Sequence, residues 1–163
     1  MRNSTMFGVV VPLLLGTASL AVAGERIPIK GTYTAINKSQ VIEVGPNHMI
    51  VSINAEGLGY VIEGAGASTP MQHSAGPCAG AIEIKDGTAS GRGFCFRKSP
   101  QGAKWVVTWV ANADLSKGLT GTFEIRGVDG PAMGWKGGGT WGPSVDTTPT
   151  SYINTFSGYL EKP

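Results

Sequence analysis

The sequence contains few of the residues that build metal or catalytic centres. It has only two histidines and two cysteines among 163 residues. His48 falls on the polar face of a predicted strand and His73 in a predicted loop, and neither has a second ligand at the spacing of a metal-binding motif. The Gly-x-Ser-x-Gly pattern of a hydrolase nucleophile is also missing. We therefore predict no metal ion, no cofactor and no assignable catalytic residue.

Helical patterns are equally scarce. The 25 glycines and 10 prolines interrupt every window of about eleven residues that might carry an i, i+3, i+4, i+7 apolar stripe. Alternation of apolar and polar residues is common instead, most clearly at residues 49–55 and 119–126. This period of two is typical of strands that bury one face. The fold class predicted is all-β.

Charge of either sign is low and evenly spread. The 13 basic residues nearly balance the 11 acidic ones, for a net charge of +2, and no basic stripe is visible. Nucleic-acid-binding proteins usually concentrate lysine and arginine on one face. We therefore do not expect nucleic acid as a partner.

Long hydrophobic runs are absent except near the start of the chain. Arg2 precedes an uncharged stretch over residues 6–20, which ends in the small-x-small pattern Ala21-Val22-Ala23 of a signal-peptide cleavage site. Pro12 and Gly16 dilute this stretch, and no basic stop-transfer cluster follows it. We predict a signal peptide at residues 1–23, one domain at 24–163, a periplasmic or extracellular location, and no membrane span after cleavage.

Turn residues divide the mature chain into eight or nine short strands, the pattern of a β-sandwich or barrel. The glycine-rich run at 134–142 resembles a phosphate-binding loop in composition, but no helix follows it. We interpret it as a turn and a short strand whose two tryptophans pack on the barrel. The first and last strands are expected to pair and seal the sheet. Besides 49–55 and 119–126, strands are predicted at 28–37, 40–44, 58–63, 78–85, 88–98, 103–112 and 152–161.

The two cysteines are predicted to form a disulfide across one hairpin. Asp86-Gly87 favours a two-residue type I′ turn, because both positions of that turn need positive φ. Counting outward from this turn places Cys78 directly opposite Cys95, in a non-hydrogen-bonded pair where Cα atoms approach to about 4.5 Å. This distance suits a disulfide. Two independent buried thiols are the alternative, which an oxidising destination disfavours.

The same register places three glycines on the cysteine face of this hairpin: Gly80, Gly91 and Gly93. Glycines two apart on one face allow a sheet to coil sharply, as it must in a barrel. This pattern favours a single closed or nearly closed antiparallel barrel of about eight strands over a flat sandwich.

Aromatic residues on inward faces mark the candidate ligand site. Trp105 and Trp109 share one face of a strand that is apolar on both sides, which indicates cover on both sides. Core packing is one explanation, and a cavity lined by aromatic side chains is the other. We predict that Trp105, Trp109, Phe123 and Tyr60 line a binding cavity. Glu43, Glu56 and Glu63 lie in strand-like stretches, and one of them could point inward.

Glycine and aromatic spacings in the C-terminal half resemble those of a group of small secreted bacterial proteins, mostly uncharacterised. Their barrel is similar to that of allene oxide cyclase and the dirigent proteins, within the lipocalin-like class. The resemblance implies an eight-stranded barrel with a hydrophobic cavity and supplies no catalytic residue. Where such proteins carry an acidic turn after the second cysteine, this chain has Arg97 to Lys104. The matching motifs lie at 76–80, 91–95, 118–123, 138–141 and 154–159.

The function expected from these features is non-enzymatic binding of a small apolar or aromatic molecule inside the barrel. One alternative is an isomerase or cyclase that folds an apolar substrate, assisted by a buried glutamate. The other is a structural or partner-binding envelope protein with a filled barrel. A binding protein needs a cavity of roughly 300 Å³ or more, whereas a solid interior would exclude both the binding protein and the enzyme. The ligand's identity and the oligomeric state stay open.

Overall fold

The structure is a computed structural model that describes residues 24–148 and 150–163. The predicted signal peptide, residues 1–23, lies outside the described residues. The described chain consists almost entirely of antiparallel strands, joined by tight turns and three short 3-10 turns. The strands are β1 (Arg26–Asn37), β2 (Gln40–Gly45), β3 (His48–Ile62), β4 (Gly76–Lys85), β5 (Thr88–Lys98), β6 (Lys104–Asp114), β7 (Gly121–Asp129), β8 (Lys136–Thr148) and β9 (Ser151–Glu161).

Eight of these strands form a closed ring. From β3 to β9 each strand pairs with the next, and β1 closes the ring by pairing with β9 on one side and with β3 on the other. Tyr33 of β1 lies opposite Asn154 of β9 and opposite Tyr60 of β3. Strand β2 pairs with β3 alone and stays outside the ring. The prediction of a closed antiparallel barrel of about eight strands is confirmed, as is the pairing of the first strand with the last.

The hairpin of β4 and β5 has the predicted register. Asp86 and Gly87 both have positive φ, 48° and 79°, and Lys85 pairs with Thr88. Cys78 therefore faces Cys95, and a disulfide joins them with their Cα atoms 4.0 Å apart. Both cysteines are buried inside the barrel. An intramolecular disulfide is consistent with a non-reducing compartment.

Two strands differ most from the prediction. The stretches predicted at 49–55 and 58–63 are one continuous strand, β3, because a bulge opposite Thr34 and Ala35 absorbs the irregularity that looked like a break. The glycine-rich run begins in a turn at Gly134 and its two tryptophans pack on the core, as predicted, but the strand that follows is the thirteen-residue β8 rather than a short one. Its glycines allow close strand contact: a Cβ at Gly139 would lie 2.1 Å from the carbonyl oxygen of Ser157.

One end of the barrel, which we call the closed end, is packed solid. The loop between β3 and β4 folds over this end and buries Met71. Gln72 holds the loop in place, since its side chain accepts a hydrogen bond from Ile62 N–H at 2.7 Å and donates to the Ile62 carbonyl at 3.2 Å. Other buried residues at this end include Ala103, Trp105, Ala132 and Leu160.

The outer face of β6 differs from the prediction. Val110 points outward and is 48 % exposed, so the strand is covered on its inner face only. The apolar inner face, which carries Trp105, Val107 and Trp109, belongs to the barrel interior. Apolar residues on both faces of a strand therefore do not require cover on both faces, because a single exposed valine costs little.

Candidate functional site: an apolar cavity inside the barrel

A cavity of about 250 Å³ occupies the barrel interior above the closed end. Its wall is mainly aliphatic and aromatic, with contributions from all eight strands of the ring and from the disulfide. The volume falls short of the roughly 300 Å³ typical of sites for drug-sized ligands, but it exceeds the roughly 150 Å³ of an apolar cavity that accepts benzene. The aliphatic part of the wall includes Val51, Ile53, Ile82, Ile84, Val107 and Ile125.

The opposite end of the cavity, which we call the mouth, is more polar. Ser39, Ser144 and Asp146 line the cavity there beside Leu115 and Leu119. All five side chains are partly or fully exposed. The cavity therefore runs from an apolar interior to a mixed, solvent-facing opening, and a ligand would enter by the mouth.

The structure separates the four predicted ligand-binding residues into two groups. Trp109, Phe123 and Tyr60 line the cavity. Trp105 does not: it is completely buried in the closed end, where its ring meets that of Trp135 edge-on at 6.5 Å. Trp105 and Trp109 lie on the same face of β6 and were both predicted to line the cavity, but they lie at different depths of the barrel. Ligand binding by the three lining residues stays a prediction.

Glycines hold Trp109 in the cavity wall. A Cβ at Gly93 would lie 2.3 Å from Cζ2 of the indole, and a Cβ at Gly80 would lie 2.5 Å from the same atom. The indole thus lies directly on the bare backbone of β4 and β5. The glycines that predicted a barrel from the sequence thus also leave the space that the Trp109 side chain occupies.

A buried arginine lies behind the wall of the cavity nearest the closed end. Arg97 is 0 % exposed, and its guanidinium lies over the rings of Tyr33 and Tyr60, with 4.6 Å and 5.7 Å between its carbon and the ring centroids. Nη2 donates to the Tyr33 hydroxyl and, at 2.7 Å, to Cys78 Sγ. Tyr33, Tyr60 and Cys78 all line the cavity. The guanidinium is therefore directly behind the cavity wall.

Sequence reasoning missed this arrangement, although a signal was present. Residue 97 lies within the strand predicted at 88–98, but no inward-facing role was predicted for it. Because Cys95 faces inward and side chains alternate along a strand, residue 97 must face inward too. An inward-facing arginine in an otherwise apolar barrel is unusual, because burial of its charge is unfavourable unless an anion or hydrogen-bond acceptor pairs with it.

Burial also affects the tyrosines around Arg97. Desolvation raises the pKa of Tyr33, Tyr60 and Tyr152, and this effect outweighs the attraction between each phenolate and the Arg97 guanidinium. All three hydroxyls therefore stay protonated at neutral pH and can donate hydrogen bonds.

The raised pKa values predict loss of stability in alkaline solution. Above about pH 10 the tyrosines of the unfolded chain release protons while these three in the folded barrel retain theirs, so the free energy of unfolding should fall as pH rises. Ultraviolet absorbance of phenolate, recorded beside circular dichroism, tests this. We expect most of the phenolate signal to appear together with unfolding, whereas in denaturant all four tyrosines should ionise near pH 10. Full ionisation near pH 10 in a barrel with unchanged circular dichroism would contradict the prediction.

Other candidate groups lie away from the cavity. His48 bonds to Glu83 at 2.7 Å on the outside of the barrel, and His73 is exposed in the loop. Glu63 pairs with Lys30 at the surface, and neither Glu43 nor Glu56 lines the cavity. Across residues 24–148 and 150–163, no group of three or more His, Cys, Asp or Glu side chains is arranged to hold a metal ion.

The described part of the chain also contains no helix that is long and apolar enough to span a bilayer.

Comparison with known proteins gives one structural neighbour to report. No protein-family model matches the chain, and no curated protein sequence matches it. The chain is similar to the crystal structure of a conserved protein of unknown function from Rhodopseudomonas palustris, at 13 % sequence identity and a TM-score of 0.43. The similarity covers 83 % of this chain and 99 % of that protein. Functional conclusions therefore depend on the geometry of the cavity.

Proposed function

We propose that the protein is an exported, non-enzymatic barrel that binds a small apolar or aromatic molecule in its interior. The observation that carries the proposal is the cavity of about 250 Å³, lined by aliphatic and aromatic side chains and opening at the mouth. Apolar cavities of this kind gain free energy by taking apolar molecules out of water. The disulfide supports the periplasmic or extracellular location in the proposal.

The geometry favours binding over both alternatives. A filled envelope barrel would leave no interior volume, and the catalytic alternative needs a glutamate in the cavity, where the lining residues include none. The relation to allene oxide cyclase and dirigent barrels is part of this proposal as a relation of fold, and the closed eight-stranded ring supports it.

Isothermal titration calorimetry with two neutral probes tests the proposal. The aromatic 2-naphthamide and the aliphatic decanamide differ in shape but share a polar group that carries no charge. We expect at least one of them to bind the full chain in a saturable, one-to-one manner, with a heat capacity that falls on binding as apolar surface is buried.

A matched pair of variants locates the binding site. Val51 faces the cavity, whereas Ser52, its neighbour on β3, faces outward and is exposed. Val51→Trp should fill part of the cavity and weaken binding at least tenfold, about 1.4 kcal/mol, while Ser52→Trp should leave the affinity unchanged. The proposal is wrong if neither probe binds and the matching carboxylate, 2-naphthoate, does not bind either, or if both variants bind as the unmodified protein does.

A further inference from the structure

Arg97 is a buried cation without an anion. Among the described residues its guanidinium forms no ion pair, and its Nε and Nη1 have no hydrogen-bond partner. An arginine remains charged in a protein, so burial cannot be relieved by loss of a proton. A buried charge that lacks a partner destabilises the folded state unless another group compensates it. The aromatic faces of Tyr33 and Tyr60 offset part of this cost, but the N–H groups of Nε and Nη1 still have no hydrogen-bond acceptor.

The groups around the guanidinium carry no negative charge, and their hydroxyls can donate hydrogen bonds. The Tyr33 oxygen accepts from Nη2, which leaves the hydroxyl proton of Tyr33 free to be donated. Apart from Arg97, the group within hydrogen-bond distance of that hydroxyl is Cys78 Sγ at 3.4 Å, a weak acceptor, and the neutral Tyr152 side chain lies beside it. The rings of Tyr60 and Tyr152 lie 4.9 Å and 6.2 Å from that of Tyr33. Protonated hydroxyls and a guanidinium together form a pocket suited to an anion.

This group of residues adjoins the cavity. Tyr33, Tyr60, Tyr152 and Cys78 line it, and Arg97 contacts Tyr33 and Cys78 from behind. Strand β3 leaves room for the guanidinium at Gly57, where a Cβ would lie 2.5 Å from Nη1. The one carboxylate in the cavity wall, Asp146, is at the mouth. The electrostatic potential therefore becomes more positive from the mouth inward.

We propose that the ligand of this barrel is an amphipathic molecule with a single carboxylate, bound with the carboxylate inward against Arg97 and Tyr33 and the apolar body along the cavity. This inference rests on the proposed function and names the ligand class for the same cavity. The carboxylate would accept from the Tyr33 hydroxyl, and the charge of Arg97, directly behind that hydroxyl, would stabilise the bound anion. Charge-assisted bonds of this kind are about twice as strong as neutral ones. Repulsion from Asp146 disfavours the reversed orientation.

A pair of isosteric probes separates the charge from the shape. The full chain, produced in an oxidising compartment, is titrated by calorimetry at neutral pH with 2-naphthoate and with 2-naphthamide. We expect naphthoate to bind at least tenfold more tightly. In the unmodified protein this preference should disappear as pH falls below the carboxyl pKa of the probe, about 4, because the protonated acid then resembles the amide.

Variants assign the preference to named groups. Arg97→Met keeps a long side chain and removes the charge, and it is expected to fold because exchange of a buried ion for an apolar residue is often neutral or stabilising. It should abolish the preference for naphthoate, measured as the ratio of the affinities for the two probes. Arg92→Met removes the same charge from the exposed outer face of β5 and should leave the preference intact. Tyr33→Phe should reduce it, and this variant decides the question if Arg97→Met does not fold.

The outcomes distinguish the two proposals. If naphthamide binds and naphthoate binds no better, the carboxylate inference is wrong while the proposed function stands. The inference is also wrong if the preference survives Arg97→Met, or equally falls in Arg92→Met. If neither of these probes nor decanamide binds the unmodified protein, the proposed function itself is wrong.

Discussion

Replacing both Cys78 and Cys95 by alanine is expected to lower the free energy of unfolding by about 3 kcal/mol without abolishing the barrel. The disulfide closes a loop with a sequence separation of 17 residues, and chain entropy for such a loop gives this magnitude. The barrel should survive because its core extends through the closed end, where Met71, Trp105 and Leu160 are buried. Thermal denaturation followed by circular dichroism should show a melting temperature lower by about 10 °C.

Reduction of the unmodified protein is the matched control, because it breaks the bond and retains both sulfur atoms in the core. It should cause most of the same decrease. Before reduction, a thiol assay under denaturing conditions should detect no free thiol, since both cysteines are joined. An unchanged melting temperature in the double variant, or two reactive thiols in the protein as purified, would contradict the prediction.

Gly93→Ala is expected to destabilise the barrel by about 3 kcal/mol or more. The added Cβ would lie 2.2 Å from the carbonyl oxygen of Ala79 and 2.3 Å from the Trp109 indole. The indole can rotate away, but the carbonyl belongs to β4 and cannot move without disturbing its pairing with β5. Overpacking in a well-packed interior typically costs 1 to 3 kcal/mol, and a backbone clash of this size lies at the upper end or above.

Gly45→Ala provides the control for this change. Gly45 also lies at a strand position, but a Cβ there meets nothing within 4 Å. Its free energy of unfolding should stay the same or rise slightly, since alanine restricts the unfolded chain. Urea denaturation of the two variants measures the difference. Equal stabilities would mean that Gly93 does not support the indole as described. Tryptophan fluorescence should change in Gly93→Ala but not in Gly45→Ala, because only the first substitution displaces the Trp109 indole from the cavity wall.

The sequence was sufficient for the features that depend on local register. Side chains alternate along every strand, and a two-residue turn sets the pairing of the strands that it joins. The position of Asp86-Gly87 therefore predicted the pairing of Cys78 with Cys95, which the structure confirms. Closure into a barrel also followed from local features, namely short alternating strands and paired glycines. Boundaries were less certain, because the bulge within β3 resembles a chain break when only the pattern is visible.

The interior of the barrel could not be predicted in the same way. Alternation shows that Trp105 and Trp109 both face inward, but the depth at which each meets the opposite wall depends on the tilt and stagger of all eight strands. That geometry buries Trp105 in the closed end and places Trp109 in the cavity. It also brings Arg97 of β5 against Tyr33 of β1 and Tyr60 of β3, residues far apart in the chain. Cavity volume is likewise a small difference between the enclosed space and the summed side chains, so it emerges only when every strand is in place.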